Sequence, residues 1–139
     1  MLAHRAGHQG RELIRSLYGD GRESAGDQAV PSVVYSHPAV ARVGLTECEA
    51  KKRTTDVEVV KTEYAAQILA RTELAGQGFA KALFHEDRLI GITIVGELAG
   101  ELIAAMSLAV ACRLDRSALA SWVIPHPSLS ELFTALCRK

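Results

Sequence analysis

The sequence is poor in cysteine, in net charge and in long apolar runs, and each shortage removes a class of protein. Its three cysteines, Cys48, Cys112 and Cys137, are scattered through 139 residues. An odd, dispersed set makes neither a disulfide framework nor a local dithiol redox motif, so a reducing cytoplasm is the simpler setting. Sixteen Lys and Arg face 16 Asp and Glu. With no net field to attract a polyanion, nucleic acid is disfavoured as a partner. The longest strongly apolar run, Leu102 to Cys112, is stopped by Glu101 and Arg113, well short of the roughly 20 residues that cross a bilayer as a helix. The start, Met1 to His8, has no apolar stretch of signal-peptide length. No internal repeat or low-complexity tract occurs.

What is there suits one ordinary domain. The composition is 48% apolar and 23% charged, and a chain of this length can bury a real core. Met1 to Tyr18 reads as a weak helix, because Leu13, Ile14 and Leu17 can share a side while Gly7 and Gly10 each cost about 1 kcal/mol relative to Ala. Gly19 to Gln28 reads as a loop. The first 30 residues thus form an N-terminal appendage, and residues 31–139 form the compact unit.

Within that unit, Ser32 to Tyr35 and Val40 to Leu45 read as β segments separated by a turn at His37-Pro38. Thr46-Glu47-Cys48-Glu49 has the form of a capping box and starts a short helix ending near Arg53. Val57 to Tyr64 is β-branched and reads as a strand. Ala65 to Gln77 has no clean period and reads as a loop or broken helix. Phe79 to His85 and Leu89 to Val95 read as a hairpin around Glu86-Asp87-Arg88, with Ile90, Ile92 and Ile94 on a buried face. Ala99 to Leu114 is the main helix. It is apolar nearly all round, so it needs cover on more than one side, and a second subunit is a natural cover. Asp115 caps a short helix near Ser117 to Trp122. Ile124 to Pro127 is rigid and extended, and Ser128-Leu129-Ser130-Glu131 is a second capping box opening a final helix. The order of elements predicts an α+β fold, an antiparallel sheet of about four to five strands with helices packed on one face.

Among residues able to do chemistry, His126 stands out. Two prolines hold its backbone, and Glu131 follows five residues later, where a carboxylate could fix the imidazole's tautomer. Spacing alone favours a plainer reading, in which Glu131 bonds the Ser128 N–H as a helix cap and His126 is a turn residue. His4 and His8 have i, i+4 spacing but no further ligand nearby, so no metal site is expected. His37 and His85 read as structural. Ser36, Ser128 and Ser130 lack a nucleophile-elbow context. Gly96 to Glu101 precedes a helix but carries acids and no base, which argues against a phosphate cradle.

Several segments together resemble one family. Pro31 to Pro38 followed by Val43 to Glu47, then Gly78-Phe79-Ala80-Lys81, Leu89-Ile90-Gly91, Val95 to Ile103, and finally His126-Pro127-Ser128-Leu129-Ser130-Glu131, resemble the C-terminal interface domain of pyridine-nucleotide disulfide oxidoreductases in order and spacing. Met1 to Ala6 resembles the end of that family's flavin domain. The His126 to Glu131 run is similar to the ending of dihydrolipoamide dehydrogenases. A vicinal cysteine pair of the mercuric reductase kind is absent, and Ile124 stands where many dihydrolipoamide dehydrogenases carry a further histidine. The resemblance implies a homodimer in which His126 and Glu131 form a catalytic acid/base pair, with His126 and Pro127 lying against the partner subunit's flavin. It implies FAD and NAD(P) in the complete enzyme and a cis His126–Pro127 bond. The G-x-G-x-x-G dinucleotide fingerprints and the C-x4-C disulfide are not in this sequence, so the isolated chain is expected to bind neither cofactor and to be inactive. A free-standing dimerisation or binding module without activity, and a half-enzyme completed in trans, remain alternatives.

Overall fold

A computed structural model describes residues 2–19, 27–72 and 76–137. Parts of two expected loops, residues 20–26 and 73–75, lie outside the described residues, as do residues 1, 138 and 139.

The sheet grows outward from its clearest sequence signal. β4 (Phe79–His85) and β5 (Arg88–Gly96) form an antiparallel hairpin. Its two turn residues, Glu86 and Asp87, take φ of 49° and 58°, the turn whose twist matches the flanking strands. β2 (Ala39–Gly44) pairs with the other side of β5, and β1 (Ser32–Val34) pairs with β2. β3 (Glu58–Glu63) pairs with β4. The five antiparallel strands lie in the order β1-β2-β5-β4-β3, the α+β architecture expected.

Register decides the two faces. Ala41, Ile94, Ala80 and Thr62 line up across the strands, as do Val43, Ile92, Ala82 and Val60. These positions make one apolar face. The alternate row, Arg42, Thr93, Lys81 and Lys61, makes the other face largely polar. Over the apolar face, α4 (Ala99–Ala111) covers β2 and β5, and α6 (Glu131–Cys137) covers β3 and β4. Ile103, Met106, Leu132, Phe133 and Leu136 are buried there with Ile92 and Ile94 in one cluster. On the polar side, α2 (Glu47–Arg53) sets Glu47 3.0 Å from Lys81 Nζ. Lys51 and Lys81 together pull the Glu47 carboxyl down to about 2. The Thr46 capping box forms in full: Glu49 N donates to Thr46 Oγ1 at 3.2 Å and Thr46 N donates to Glu49 Oε2 at 2.8 Å.

Several element boundaries move for identifiable reasons. The main helix ends at Ala111 rather than Leu114, because Arg113 turns into the left-handed region at φ 51°. Leu114 N then reaches back to Ala109 O at 3.0 Å, and Leu114 O accepts from Leu89 N at 3.1 Å, tying the helix end to β5. The next helix, α5 (Arg116–Ala120), starts one residue earlier than expected because Asp115 Oδ1 accepts from Ala118 N at 2.8 Å. After β3, a 3-10 turn over Tyr64–Ala66 leads into α3 (Ile68–Thr72), which is the broken helix of the expectation. Tyr64 is fully buried and donates to Glu97 O at 2.8 Å. A Cβ on Gly96 would lie 2.5 Å from its ring, so that position excludes any side chain. At the N-terminus, α1 (Ala3–Tyr18) is a regular helix despite its glycines, and none of its residues is buried. His4 Nε2 donates to Pro31 O at 2.7 Å and ties it to the compact unit.

Arg116 joins the helices to the sheet. It is 4% exposed, its Nη2 pairs with Glu58 of β3 and its Nε faces Asp87 of the hairpin turn. The guanidinium lies 4.1 Å from the centroid of the Phe84 ring. Both carboxylates are half-exposed, so removing the arginine strands neither. Its loss still removes buried packing and a desolvated cation–π contact. Arg116→Ala is expected to cost about 2–4 kcal/mol, the range of large-to-small core changes, and urea unfolding measures it. A loss below about 0.5 kcal/mol, typical of surface sites, would reduce Arg116 to a surface residue.

Candidate functional site

Between α5 and α6 the chain runs through Trp122, Val123, Ile124, Pro125, His126 and Pro127 without regular structure. Among the described residues, no backbone hydrogen bond involves positions 123–127. Two prolines remove donors from this stretch and restrict the residues before them. The His126–Pro127 peptide bond is cis, and so is His37–Pro38.

This geometry brings the two residues singled out by sequence together. His126 Nδ1 lies 2.9 Å from Glu131 Oε1, and Ser128 N donates to Glu131 Oε2 at 3.0 Å. Each carboxylate oxygen therefore serves one donor. The two readings of Glu131, ring partner and backbone cap, hold at once. The capping box itself forms only in half. Glu131 is the first residue of α6, not its third, and Ser128 Oγ is buried without a hydrogen-bond partner. Phe133 N instead bonds Ser130 O at 3.0 Å, which opens the helix through backbone carbonyls.

The electrostatics follow from these bonds. The His126 hydrogen bond, and after it the Ser128 N–H, hold the Glu131 carboxyl below the usual carboxylate range. An ionised carboxylate only accepts, so the ring nitrogen facing it carries the proton. Nε2 is then the basic nitrogen. The His126 side chain is 63% exposed and that of Glu131 26%, so the ring is available to a group outside this chain while its orienting partner is more sheltered. Pro127 is also exposed.

The other histidines stand apart. His4 serves Pro31, and His85 Nδ1 lies 2.8 Å from Asp56 O. Among the described residues no group of three or more His, Cys, Asp or Glu is placed to hold a metal ion, and no helix is long and apolar enough to cross a membrane. One feature of the site had no sequence signal. Trp122 and Phe133, eleven positions apart, stack with centroids 5.9 Å apart and planes at 15°.

A second surface carries apolar groups outward. Leu108 on α4 is 65% exposed and Tyr35, just past β1, is 89% exposed. They share one cleft with Val33, Gly100, Ala104 and the α1 residue His8. This is the outer face of the helix whose pattern asked for a second cover.

The family model for the pyridine nucleotide-disulphide oxidoreductase dimerisation domain matches residues 30–137, and the chain belongs to that family. Relatives of the chain include dihydrolipoyl dehydrogenases. The chain is 40% identical over 133 residues to the enzyme of Thermus scotoductus, covering 94% of this chain and 28% of that protein. It is 37% identical over 135 residues to the mitochondrial enzyme of Caenorhabditis elegans, covering 96% and 27%. Among solved structures, LpdA of Mycobacterium tuberculosis superimposes with a TM-score of 0.88 at 25% identity, over 98% of this chain and 30% of that one. The HOCl-induced flavoprotein disulfide reductase RclA of Escherichia coli gives 0.79 at 30% identity, over 91% and 30%. The chain thus spans under a third of the length of these relatives.

The pair's bonding makes a direct prediction. A carboxyl whose folded pKa is lowered contributes stability that is present above the ordinary carboxylate range and lost as pH falls through the lowered value. In His126→Ala the larger of the two lowering bonds is gone. The Glu131 carboxyl should then titrate closer to its ordinary value while staying somewhat low through Ser128 N–H, as followed by carboxyl carbon NMR. An unchanged titration would mean that the ring bond is not made in solution.

Proposed function

We propose that this chain is the dimerisation part of a dihydrolipoamide dehydrogenase-like flavoprotein, and that it supplies His126 and Glu131 as an acid/base pair across a homodimer interface. The observation that carries the reading is the 2.9 Å contact between His126 Nδ1 and Glu131 Oε1, made by a ring whose side chain is 63% exposed. A free thiol with a pKa near 8.5 is mostly protonated at neutral pH, and thiol–disulfide exchange needs the thiolate. His126 Nε2 takes the proton as the substrate's S–H bond breaks. Glu131 holds the ring's tautomer and supports the imidazolium that results.

The described residues do not make a dinucleotide cradle. The described sheet is antiparallel throughout, without the parallel βαβ unit and glycine turn that hold a pyrophosphate. FAD and NAD(P) therefore belong to the remainder of the complete enzyme, and His126 with Pro127 presents an exposed edge to a flavin held by the partner subunit. Residues 1–30 fit as the end of a flavin domain, since the exposed Leu13, Ile14 and Leu17 of α1 need a further surface. A reducing compartment suits the free cysteines.

By itself the purified chain should show no flavin absorbance and no NADH-dependent reduction of lipoamide. Stoichiometric flavin with turnover would overturn that part of the reading. In an enzyme completed with flavin and dinucleotide domains, His126→Gln should lower kcat by about 10²–10⁴-fold, the usual worth of a general acid/base, with flavin content unchanged. Full activity in that variant would remove the catalytic role. Leu108→Glu places a charge on the outer face of α4 and should convert a dimer to monomers in sedimentation. A wild-type monomer would remove dimerisation by this chain alone, and a variant that still dimerises would move the interface elsewhere.

A further inference from the structure

We propose that the Trp122–Phe133 stack is a positioning clamp that holds the His126–Glu131 hydrogen bond, so that the two aromatic residues are positioning residues of the site rather than ordinary core.

The stretch carrying His126 is weakly held by its own backbone. Positions 123–127 make no backbone hydrogen bond among the described residues, and Val123 is fully turned to solvent at 89% exposure. What holds His126 in reach of Glu131 comes from side-chain contacts, chiefly at the two ends. At the far end, Leu129 is buried and Glu131 begins α6. At the near end, Trp122 N bonds Leu119 O at 3.3 Å, closing α5. The indole then stacks on Phe133, two residues beyond Glu131. Phe133 is buried in the core cluster with Leu132 and Leu136, so the ring that receives the indole is itself fixed. The stack thus brings the start of the loop to the helix that carries the carboxylate. Ile124, packed against the core, shares this anchoring, but it lies inside the loop rather than across its base.

A buried aromatic pair would need no such account if it merely filled the core. Trp122 does not. It remains 40% exposed, and its ring contact is with α6 across the loop. Its position closes a loop of about ten residues, which restricts how far His126 can drift from Glu131. For a hydrogen bond of 2.9 Å, a displacement on the order of 1 Å is enough to lose it.

The test uses the whole chain and reads the pair directly, by nitrogen NMR of the His126 ring and carboxyl carbon NMR of Glu131. In Trp122→Ala the Nδ1–H tautomer preference of neutral His126 should weaken, and the Glu131 carboxyl should titrate closer to its ordinary value. Trp122→Phe keeps a ring for the stack and should restore both. A Trp122→Ala protein that melts lower but keeps both signatures would make the stack plain packing and overturn the proposal. If Trp122→Ala does not fold, Trp122→Leu, which keeps apolar volume without a stacking face, takes its place. Retention of both signatures in that variant overturns the proposal equally. The proposal rests on the acid/base reading only in its consequence for turnover. In the completed enzyme Trp122→Ala should lower kcat with little change in KM. If the NMR signatures move while kcat does not, the clamp stands and the acid/base reading fails.

Discussion

The central strand β5 is the constraint on which the rest depends. It is the middle strand of five, paired with β2 on one side and β4 on the other, and α4 lies across it. Ile92 and Ile94 are the layer around which Ala41, Val43, Ala80 and Ala82 stand as small neighbours. Large side chains on the central strand flanked by small ones on its neighbours leave space for a helix to approach closely. Two later elements are tied to this strand and its turn. Leu89 N holds the end of α4, and Asp87 O in the hairpin turn accepts from Arg116 N and so starts α5. The site at His126 is therefore fixed to the sheet through the turn at one end of β5.

The site divides its tasks between a rigid and an open part. Glu131 stands at the start of a helix whose next residues, Leu132 and Phe133, are in the core. The carboxylate is thus carried by the stable part, and the imidazole by a prolyl segment that juts out. An exposed imidazole with a sheltered carboxylate partner is a poor design for a closed pocket. It is a sound one for a site completed by a second surface, since burial of the ring against that surface would strengthen the same hydrogen bond. The outward apolar groups on α4 and β1 agree with an assembly that supplies such a surface.

Much of this was legible in the sequence because it is encoded in short-range signals. The Thr46 box, the hairpin and the Asp115 cap depend on neighbours within a few positions, and all three formed. The second box misled because its hydroxyl–backbone half requires Glu131 to sit at the third helical position. The extended prolyl segment instead delays the helix, leaving Ser128 Oγ without a partner. The end of the main helix was misplaced by three residues because Arg113 adopts a left-handed conformation, which side-chain periodicity does not report.

By itself the sequence determined the alternation that makes a two-faced sheet, the apolar girth of α4, and the presence of a histidine between two prolines five residues before a glutamate. It could not say whether Glu131 caps the helix or faces the His126 ring, because spacing measures contour and not direction. The tertiary structure gives one carboxylate oxygen to each donor, so that Glu131 does both. It alone also decided the Trp122–Phe133 stack and the setting of Arg116 among Glu58, Asp87 and Phe84. Those contacts join residues from 11 to 58 positions apart, and only a packed core, in which distant segments share one volume, can bring them together.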